Sequence, residues 1–383
     1  MTEQSVFSRG LEDVVVGESS ICSIDGKNSK LAYRGYDIHD LCENSTFEEA
    51  AYLLLNGELP SQQAFSDFKT QLARDREIPG EVAETIRRFP KTAHPMAALR
   101  SSISLLSFYD PEANDKSMES QRRKAVRLIA KTPALVAYAE RVRKGLSIVH
   151  PKLDAGLGTA ANFLYMLKGK DVVAVEQKML DKYFVLLAEH DLNASTFAAR
   201  VVASTEADMY SAITAAIGAL KGDLHGSANS RAMESIIAIG DVRNTERHVD
   251  ETFAAKKKFM GFGHRVYKGP DPRAADLKEM AKTLAQHNAE QAKWYAISES
   301  LERAVWEKKQ LYCNVDFYSA SVLYTVGIPI DLFTTMFAIS RMSGWTAHLL
   351  EQYADNRLLR PVSQYIGKPA RNYIPIEKRQ AAP

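Results

Sequence analysis

The feature that most constrains the fold of this sequence is a succession of helical segments after residue 40, with no competing alternating pattern. Apolar residues in these segments recur every three to four positions, which places them on one face of an α-helix. Ser45 and Ser61 open two of the predicted helices, Gly57 ends the first, and Thr132-Pro133 marks another start. Further segments with helical period or length are 151–168, 172–188, 206–220, 274–288, 291–309 and 331–353.

Only the first 35 residues predict β-structure. Residues 14–16 are β-branched, and residues 20–24 lead into the turn formed by Asp25 and Gly26. Residues 30–33 fit the returning strand of a small hairpin. We therefore predict a mostly α fold with a minor N-terminal β element.

The composition of the 383-residue chain changes near Gly222 and again near Cys313, and the stretch between them is richer in charge and glycine. A chain of this length is long enough for two domains. We predict a large helical domain formed by 1–222 and 328–383, with a smaller domain, 223–327, inserted into it.

Charge and cysteine content argue against several classes of protein. Lys and Arg total 49 against 47 Asp and Glu, so the net charge of +2 predicts neither nucleic acid nor membrane partners. The longest uncharged apolar stretch, 317–330, is too short to span a bilayer. Residues 1–5 predict no secretory signal, and three cysteines form no disulfide framework or zinc pattern. We expect a cytoplasmic protein.

Two of the nine histidines lie among small residues. His225 lies in Gly-Asp-Leu-His-Gly-Ser-Ala-Asn, and His264 lies in Gly-Phe-Gly-His-Arg. Small neighbours let a ligand approach the backbone closely, and histidine can donate a proton or a hydrogen bond near neutral pH. The alternative is a turn histidine that only satisfies its own loop.

Charged residues supply further candidates. Asp316 lies among aromatic and apolar neighbours, which would raise its pKa and make it a better base; capping the following helix is the alternative. Arg273, Arg341 and Arg360 could bind a small polycarboxylate, because guanidinium pairs with carboxylate through two hydrogen bonds. For each arginine, a surface ion pair is the alternative.

Other kinds of site fit less well. Glu189-His190-Asp191 lacks the second histidine of a helical zinc site, and Gly261-Phe262-Gly263 is an incomplete dinucleotide fingerprint. We therefore predict no metal and no bound cofactor. The lysines at 256–258 form either a solvated face or a phosphate site.

Several strings, in their order along the chain, closely resemble the citrate synthase family, including its 2-methylcitrate synthase members. The similarity runs through most of the chain. The strings are Leu-Ala-Tyr-Arg-Gly-Tyr-Asp-Ile at 31–38, His-Pro-Met at 94–96, Ala-Glu-His-Asp-Leu-Asn-Ala-Ser-Thr at 188–196, the loops of His225, His264 and Asp316, and Leu-Leu-Arg-Pro at 358–361.

The resemblance implies a homodimeric enzyme of the tricarboxylic acid cycle. The small domain of each subunit is expected to close over the active site. It implies Claisen-type condensation of acetyl-CoA with oxaloacetate and hydrolysis of the thioester, giving citrate and CoA. Because one methylene in an apolar pocket is worth only about 1–3 kcal/mol, 2-methylcitrate synthesis from propionyl-CoA, or dual activity, is the alternative. A non-catalytic acyl-CoA or dicarboxylate-binding protein is a second class of function.

The resemblance also assigns roles to individual residues. Asp316 matches the base that removes the α-proton, His225 the donor to the thioester oxygen, and His264 the donor to the oxaloacetate carbonyl. The residues that match oxaloacetate ligands are His190, Arg273, Arg341 and, from the neighbouring subunit, Arg360. The looser match to the CoA region consists of Lys256, Lys257, Lys258, Gly261, Gly263 and Lys268. Ser227 and Ser230 replace a usual Gly and Glu, so we expect a retuned loop around His225.

Overall fold

The computed structural model describes residues 8–12 and 14–379, so the predicted absence of a signal in 1–5 lies outside the described residues. The described chain is mostly helical, as predicted, with sixteen α-helices and one small sheet. In order, helices α1 to α16 span Ile38–Asn44, Phe47–Asn56, Gln62–Asp75, Gly80–Arg87, Pro95–Leu106, Met118–Arg143, Thr159–Lys168, Ala174–Leu187, Ala194–Ser204, Met209–Leu220, Ala228–Ile239, Thr245–Ala254, Pro272–His287, Ala292–Lys309, Val315–Thr325 and Phe333–Ala354.

The N-terminal sheet confirms the predicted hairpin. Strand β1 (Cys22–Asp25) pairs antiparallel with β2 (Lys30–Tyr33), and β3 (Tyr36–Asp37) pairs antiparallel with the other edge of β2. The β-branched residues 14–16 lie outside this sheet, and Val15 is 88% exposed. A β-branched run forms a strand only where a neighbouring strand satisfies its backbone groups, so that part of the prediction is wrong.

The start of α2 is one residue later than the sequence suggests. Thr46 Oγ1, rather than Ser45, accepts the Glu49 N–H at 3.3 Å and caps the helix. Ser45 instead ends α1, where its hydroxyl donates to the Leu41 carbonyl at 2.6 Å. Adjacent Ser and Thr compete for the same cap, and only the backbone path decides between them. Gly57 ends α2 in the left-handed region, as predicted.

Helix α6 continues through Thr132-Pro133, which the sequence predicts as a helix start. Proline has no N–H, so the Ile129 carbonyl loses its helical partner there. The Thr132 hydroxyl donates to the Leu128 carbonyl at 2.6 Å, and both residues are buried. Because α6 packs against α3, α5, α7 and α16, tertiary contacts outweigh the local start signal.

Helix α16 is the central helix of the fold. Every residue from 333 to 350 is buried, as expected of a helix surrounded by other helices. It packs against α2, α6, α8, α9 and α10. A side chain in its middle is therefore held by packing from several directions.

Helices α11 to α15 lie within 223–327 and pack extensively against one another. They also touch the rest of the chain, because α13 and α15 contact α8, and α11 contacts α16. The division into two domains stays a prediction from the sequence. Within the described ranges, no helix combines the length and the apolar character needed to cross a membrane.

Candidate active site

The three candidate histidines lie in loops beside the core helices. His190 follows α8, His225 lies between α10 and α11, and His264 lies between α12 and α13. The ring centroids of His190 and His264 are 5.5 Å apart, and His190 Nε2 is 3.1 Å from the hydroxyl of Tyr267. The ring of His225 packs 6.4 Å from that of Phe337 on α16.

Hydrogen bonds assign the ring proton of His264. Its Nδ1 accepts the backbone N–H groups of Val266 at 3.0 Å and Tyr267 at 3.2 Å. A nitrogen that accepts carries no proton, so the neutral ring has its proton on Nε2, which can donate to a ligand. Burial, and then the charge of Arg273, lower the pKa of His264 to about 4. The turn role and the donor role are therefore compatible.

His225 is oriented by contacts at its Nε2 atom, whereas His264 is oriented by contacts at Nδ1. The Ser195 N–H donates to His225 Nε2 at 3.3 Å, and the Ser195 hydroxyl oxygen lies 2.8 Å from the same nitrogen. An amide can only donate, so this arrangement assigns the ring proton to Nδ1. Burial, and then Arg341, lower the pKa of His225 to about 4. Sequence reasoning missed Ser195, although Asn193 as cap of α9 indicates a helix start there.

Asp316 is not a helix cap. Asn314 Oδ1 accepts the Asp316 N–H at 3.0 Å and caps α15, so the alternative reading of Asp316 is wrong. Asp316 is the second residue of that helix and is partly accessible. Desolvation raises its pKa to about 7, with Asp271 adding to the rise and Arg273 opposing it. A carboxylate with such a pKa is a stronger base than an ordinary aspartate.

Arg273 is paired within the chain. Its Nε and Nη2 atoms lie 3.0 and 2.9 Å from the two carboxylate oxygens of Asp271, and both residues are buried. Asp271 also accepts the Arg273 N–H as cap of α13 and the Val315 N–H at 3.1 Å. Asp271 thus joins the starts of α13 and α15. Sequence reasoning missed Asp271, but Asp followed by Pro272 is a typical cap and first position.

Arg341 lies in the middle of α16 and is almost without partners. Its Nε donates to the Leu187 carbonyl at 2.8 Å, whereas its buried Nη2 has no partner among the described residues. The guanidinium lies 4.9 Å from the centroid of Phe337. A buried donor without an acceptor is costly, so this nitrogen indicates a place where an anion can bind.

The two arginines influence the pKa values of the other candidate site residues. After burial, which dominates, Arg273 lowers the pKa of Asp316, and both Arg273 and Arg341 lower that of His190. Arg341 likewise acts on His225. Direct contacts pair His190 with His264, whose ring centroids are 5.5 Å apart. Asp271 joins Arg273 to the start of α15, one residue before Asp316, and the ring of Phe337 packs against both Arg341 and His225. These contacts include all the predicted catalytic and oxaloacetate residues except one.

The exception is Arg360, which is exposed in the extended segment after α16. The lysines predicted to contact CoA are also exposed: Lys256, Lys257, Lys258 and Lys268. Gly261 has a packing role, because a Cβ there would lie 2.9 Å from Phe317 Cβ. The N–H of Gly263 donates to the Tyr312 carbonyl at 2.8 Å. The CoA roles of these residues stay predictions.

The loop that departs from the family pattern is fixed to the core. Ser230 Oγ donates to the Ile330 carbonyl at 3.1 Å, and the Gly226 carbonyl accepts from the Thr334 hydroxyl at 2.8 Å. A Cβ on Gly226 would lie 2.2 Å from the Leu220 carbonyl oxygen, so glycine is required there. Serine at position 230 is thus accommodated beside the loop of His225.

Comparison with known proteins gives matches along nearly the whole chain. A family model described as citrate synthase, C-terminal domain, matches residues 10–362. Citrate synthase 2 of Bacillus subtilis is 50% identical over 97% of this chain and 99% of its own. A 2-methylcitrate synthase of Shewanella oneidensis is 42% identical over 97% of each chain. A ternary complex of carboxymethyl coenzyme A and oxaloacetate with citrate synthase from Thermoplasma acidophilum is 33% identical, with a TM-score of 0.91 over 98% of this chain and 100% of that one.

Proposed function

The chain belongs to the citrate synthase family, and we propose that it condenses acetyl-CoA with oxaloacetate and hydrolyses the thioester to give citrate and CoA. It is therefore an acyltransferase. The observation that carries the proposal is the group of a half-buried Asp316 with a raised pKa, two neutral histidines with one free N–H each, and two arginines. These are the groups that an enolate-forming condensation requires.

Enolate formation is assigned to Asp316 and His225. The α-proton of a thioester is a very weak acid, and each unit of pKa mismatch with the base costs about 1.4 kcal/mol. Asp316 removes this proton, while the His225 Nδ1–H donates to the thioester oxygen as negative charge develops. Such a donor is worth roughly 3–4 kcal/mol in comparable sites.

The residues assigned to carbon–carbon bond formation act on the second substrate, oxaloacetate. The His264 Nε2–H donates to the ketone oxygen and supplies the proton as the enolate carbon attacks the ketone carbon. His190, Arg273 and Arg341 hold the carboxylates, which keeps the two reacting carbons in contact. Water then hydrolyses the citryl thioester, releasing CoA.

Arg360 is proposed to act from the second subunit of a homodimer. In this chain it lies in an exposed C-terminal segment whose apolar side chains are also open to solvent, including Val362 at 80% and Ile366 at 91% exposure. Exposed apolar side chains in one segment favour a partner surface. A second copy of this chain would cover them and receive Arg360.

Acetyl-CoA is the favoured acyl donor. The relative at 50% identity is named a citrate synthase, whereas the 2-methylcitrate synthase is 42% identical. We expect kcat/KM for acetyl-CoA to exceed that for propionyl-CoA. The comparison requires both substrates, because the pocket has to discriminate a single methylene.

Thiol release from acetyl-CoA and from propionyl-CoA, each with and without oxaloacetate, tests the function. Citrate synthase activity requires release that depends on oxaloacetate and yields citrate. Oxaloacetate binding without thiol release from either thioester would instead identify a binding protein and overturn the proposal.

A mixing experiment tests the role of Arg360. Homodimers of Asp316→Asn and of Arg360→Leu should each be nearly inactive. After unfolding and refolding together, the mixture should recover about a quarter of parental activity, because half of random dimers are mixed and each has one complete site. No recovery, with mixed dimers confirmed by mass, would place Arg360 in its own subunit or outside the site.

A further inference from the structure

A buried network of charged side chains lies directly behind the proposed oxaloacetate site. His348 Nε2 is 2.9 Å from Glu189 Oε1, and both side chains are fully buried. Glu189 immediately precedes His190, and His348 lies two turns after Arg341 on α16. The network therefore lies on the same two chain segments as His190 and Arg341, which are two of the proposed substrate ligands.

The network has a defined direction. Arg200 Nη1 lies 3.2 Å from His348 Nδ1, and arginine can only donate, so this imidazole nitrogen is the acceptor. The His348 ring therefore carries a proton on Nε2, and this N–H donates a hydrogen bond to Glu189 Oε1. Arg200 is itself held by Glu351 and by Gln352, each at 2.9 Å. One carboxylate oxygen of Glu189, Oε1, is thus held by His348, and Arg200 in turn orients the His348 ring.

The other oxygen of Glu189 is unpaired although a guanidinium is close. Glu189 Oε2 and Arg341 Nη2 are both buried and both lack a hydrogen-bond partner among the described residues. The two side chains meet over Gly344, where a Cβ would lie 2.1 Å from Oε2 and 3.2 Å from Arg341 Cδ. A direct ion pair would satisfy both atoms, but the two groups are not within ion-pair distance.

We propose that His348 is a positioning residue that holds Glu189 away from Arg341. The guanidinium then remains available for a carboxylate of oxaloacetate instead of being neutralised by the chain. This inference rests on the proposed function, since it assigns Arg341 to oxaloacetate. Without the His348 hydrogen bond, Glu189 is free to turn toward Arg341 and compete with the substrate.

The inference is tested by a double-mutant cycle on Glu189 and His348. His348→Leu should raise KM for oxaloacetate about tenfold and leave kcat within about threefold. Adding Glu189→Gln removes the competing charge, so KM of the double variant should return to within about threefold of the parental value. His348→Gln, which can still donate to Glu189, should also keep KM within about threefold of the parental value.

Two measurements separate this effect from general damage to the fold. Thr346→Val removes a buried hydroxyl from the same helix, which donates to the Met342 carbonyl at 2.7 Å and to the Ser343 carbonyl at 3.0 Å and is not hydrogen-bonded to Glu189. This control should lower the melting temperature without raising KM. Direct oxaloacetate binding should follow KM in every variant.

The outcomes of the cycle are distinct. If the double variant keeps the raised KM of His348→Leu, or exceeds it, the inference is overturned. The same holds if His348→Leu lowers kcat without changing KM. Absence of turnover in the parental protein would instead overturn the proposed function, so the two failures cannot be confused.

Discussion

The two arginines of the site are held in different ways. Arg341 lies in the middle of α16, where packing surrounds it, and its charge has no hydrogen-bonded carboxylate. Arg273 is the second residue of α13, beside a cap, and Asp271 pairs with it through two hydrogen bonds. Asp316 resembles Arg273, as the second residue of α15 behind the cap Asn314. We call Arg273 and Asp316 with their caps the capped side.

The difference shows that the position of a site residue and the availability of its charge are determined by separate contacts. On the α16 side, the helix fixes the position of Arg341 and leaves its charge available. On the capped side, a few hydrogen bonds at helix starts fix the position, and the charge of Arg273 is already balanced. Substitutions should therefore affect chemistry, substrate binding and stability to different degrees on the two sides.

The largest expected effect is a fall in kcat when the proposed base on the capped side, Asp316, is replaced. Asp316→Asn should lower kcat about a thousandfold, because it removes the proposed base. Oxaloacetate affinity, measured by calorimetry, should change little, since the arginines remain. A variant with near-parental kcat would show that another group removes the proton.

The second prediction contrasts the two arginines. Arg341→Leu should raise KM for oxaloacetate about a hundredfold, because charged hydrogen bonds to a carboxylate are lost. Its unfolding free energy should fall by only about 1 kcal/mol, since the Leu187 carbonyl loses one hydrogen bond but no internal ion pair is broken. Arg273→Leu should instead destabilise the protein by about 3–5 kcal/mol, because Asp271 would be left as a buried unpaired charge. Denaturant unfolding measures both values, and equal stability losses would contradict the contrast.

The third prediction concerns pH. Asp316 must be ionised to act as base, and its pKa is raised to about 7, mainly by desolvation. Below that pH it is protonated, so kcat/KM for acetyl-CoA should fall about tenfold per pH unit. His225 and His264, with pKa values lowered to about 4 by burial, stay neutral between pH 5.5 and 8. Absence of an acid limb near pH 7 would show that the pKa of Asp316 is not raised.

The smallest expected effect tests the caps. Asn314→Ala should cost about 1 kcal/mol of stability and lower kcat several-fold, because the cap orients Asp316 two residues later. Ser61, which caps α3 by accepting the Ala64 N–H at 3.3 Å, offers a matched control far from the site. Ser61→Ala should lose similar stability with unchanged kcat. Equal kcat values for the two variants would show that the cap does not orient the base.

The sequence predicted what depends on local patterns. The helices with clear periodicity and the hairpin follow from residue spacing, whereas the roles of the individual site residues come from the family resemblance and stay predictions. The exact helix caps could not be predicted, because Ser45 and Thr46, or Asn314 and Asp316, are all favoured cap residues and lie one or two positions apart. The passage of α6 through Pro133 depends on tertiary packing, which no local window contains.

Pairings between distant parts of the chain were also beyond the sequence. Glu189 and His348 are separated by 159 positions, and only the fold shows that they share a hydrogen bond. Ser195 and His225 likewise come from different segments. Residue type indicated which groups could do chemistry, but not which neighbours orient them.

Asp271 has a mechanical consequence. One carboxylate accepts N–H groups from the first turns of two helices, so those turns cannot slide past each other without breaking a buried charged contact. One buried carboxylate thus sets the placement of both the guanidinium of Arg273 and the helix start that carries Asp316. A change in the position of Asp271 would alter both at once.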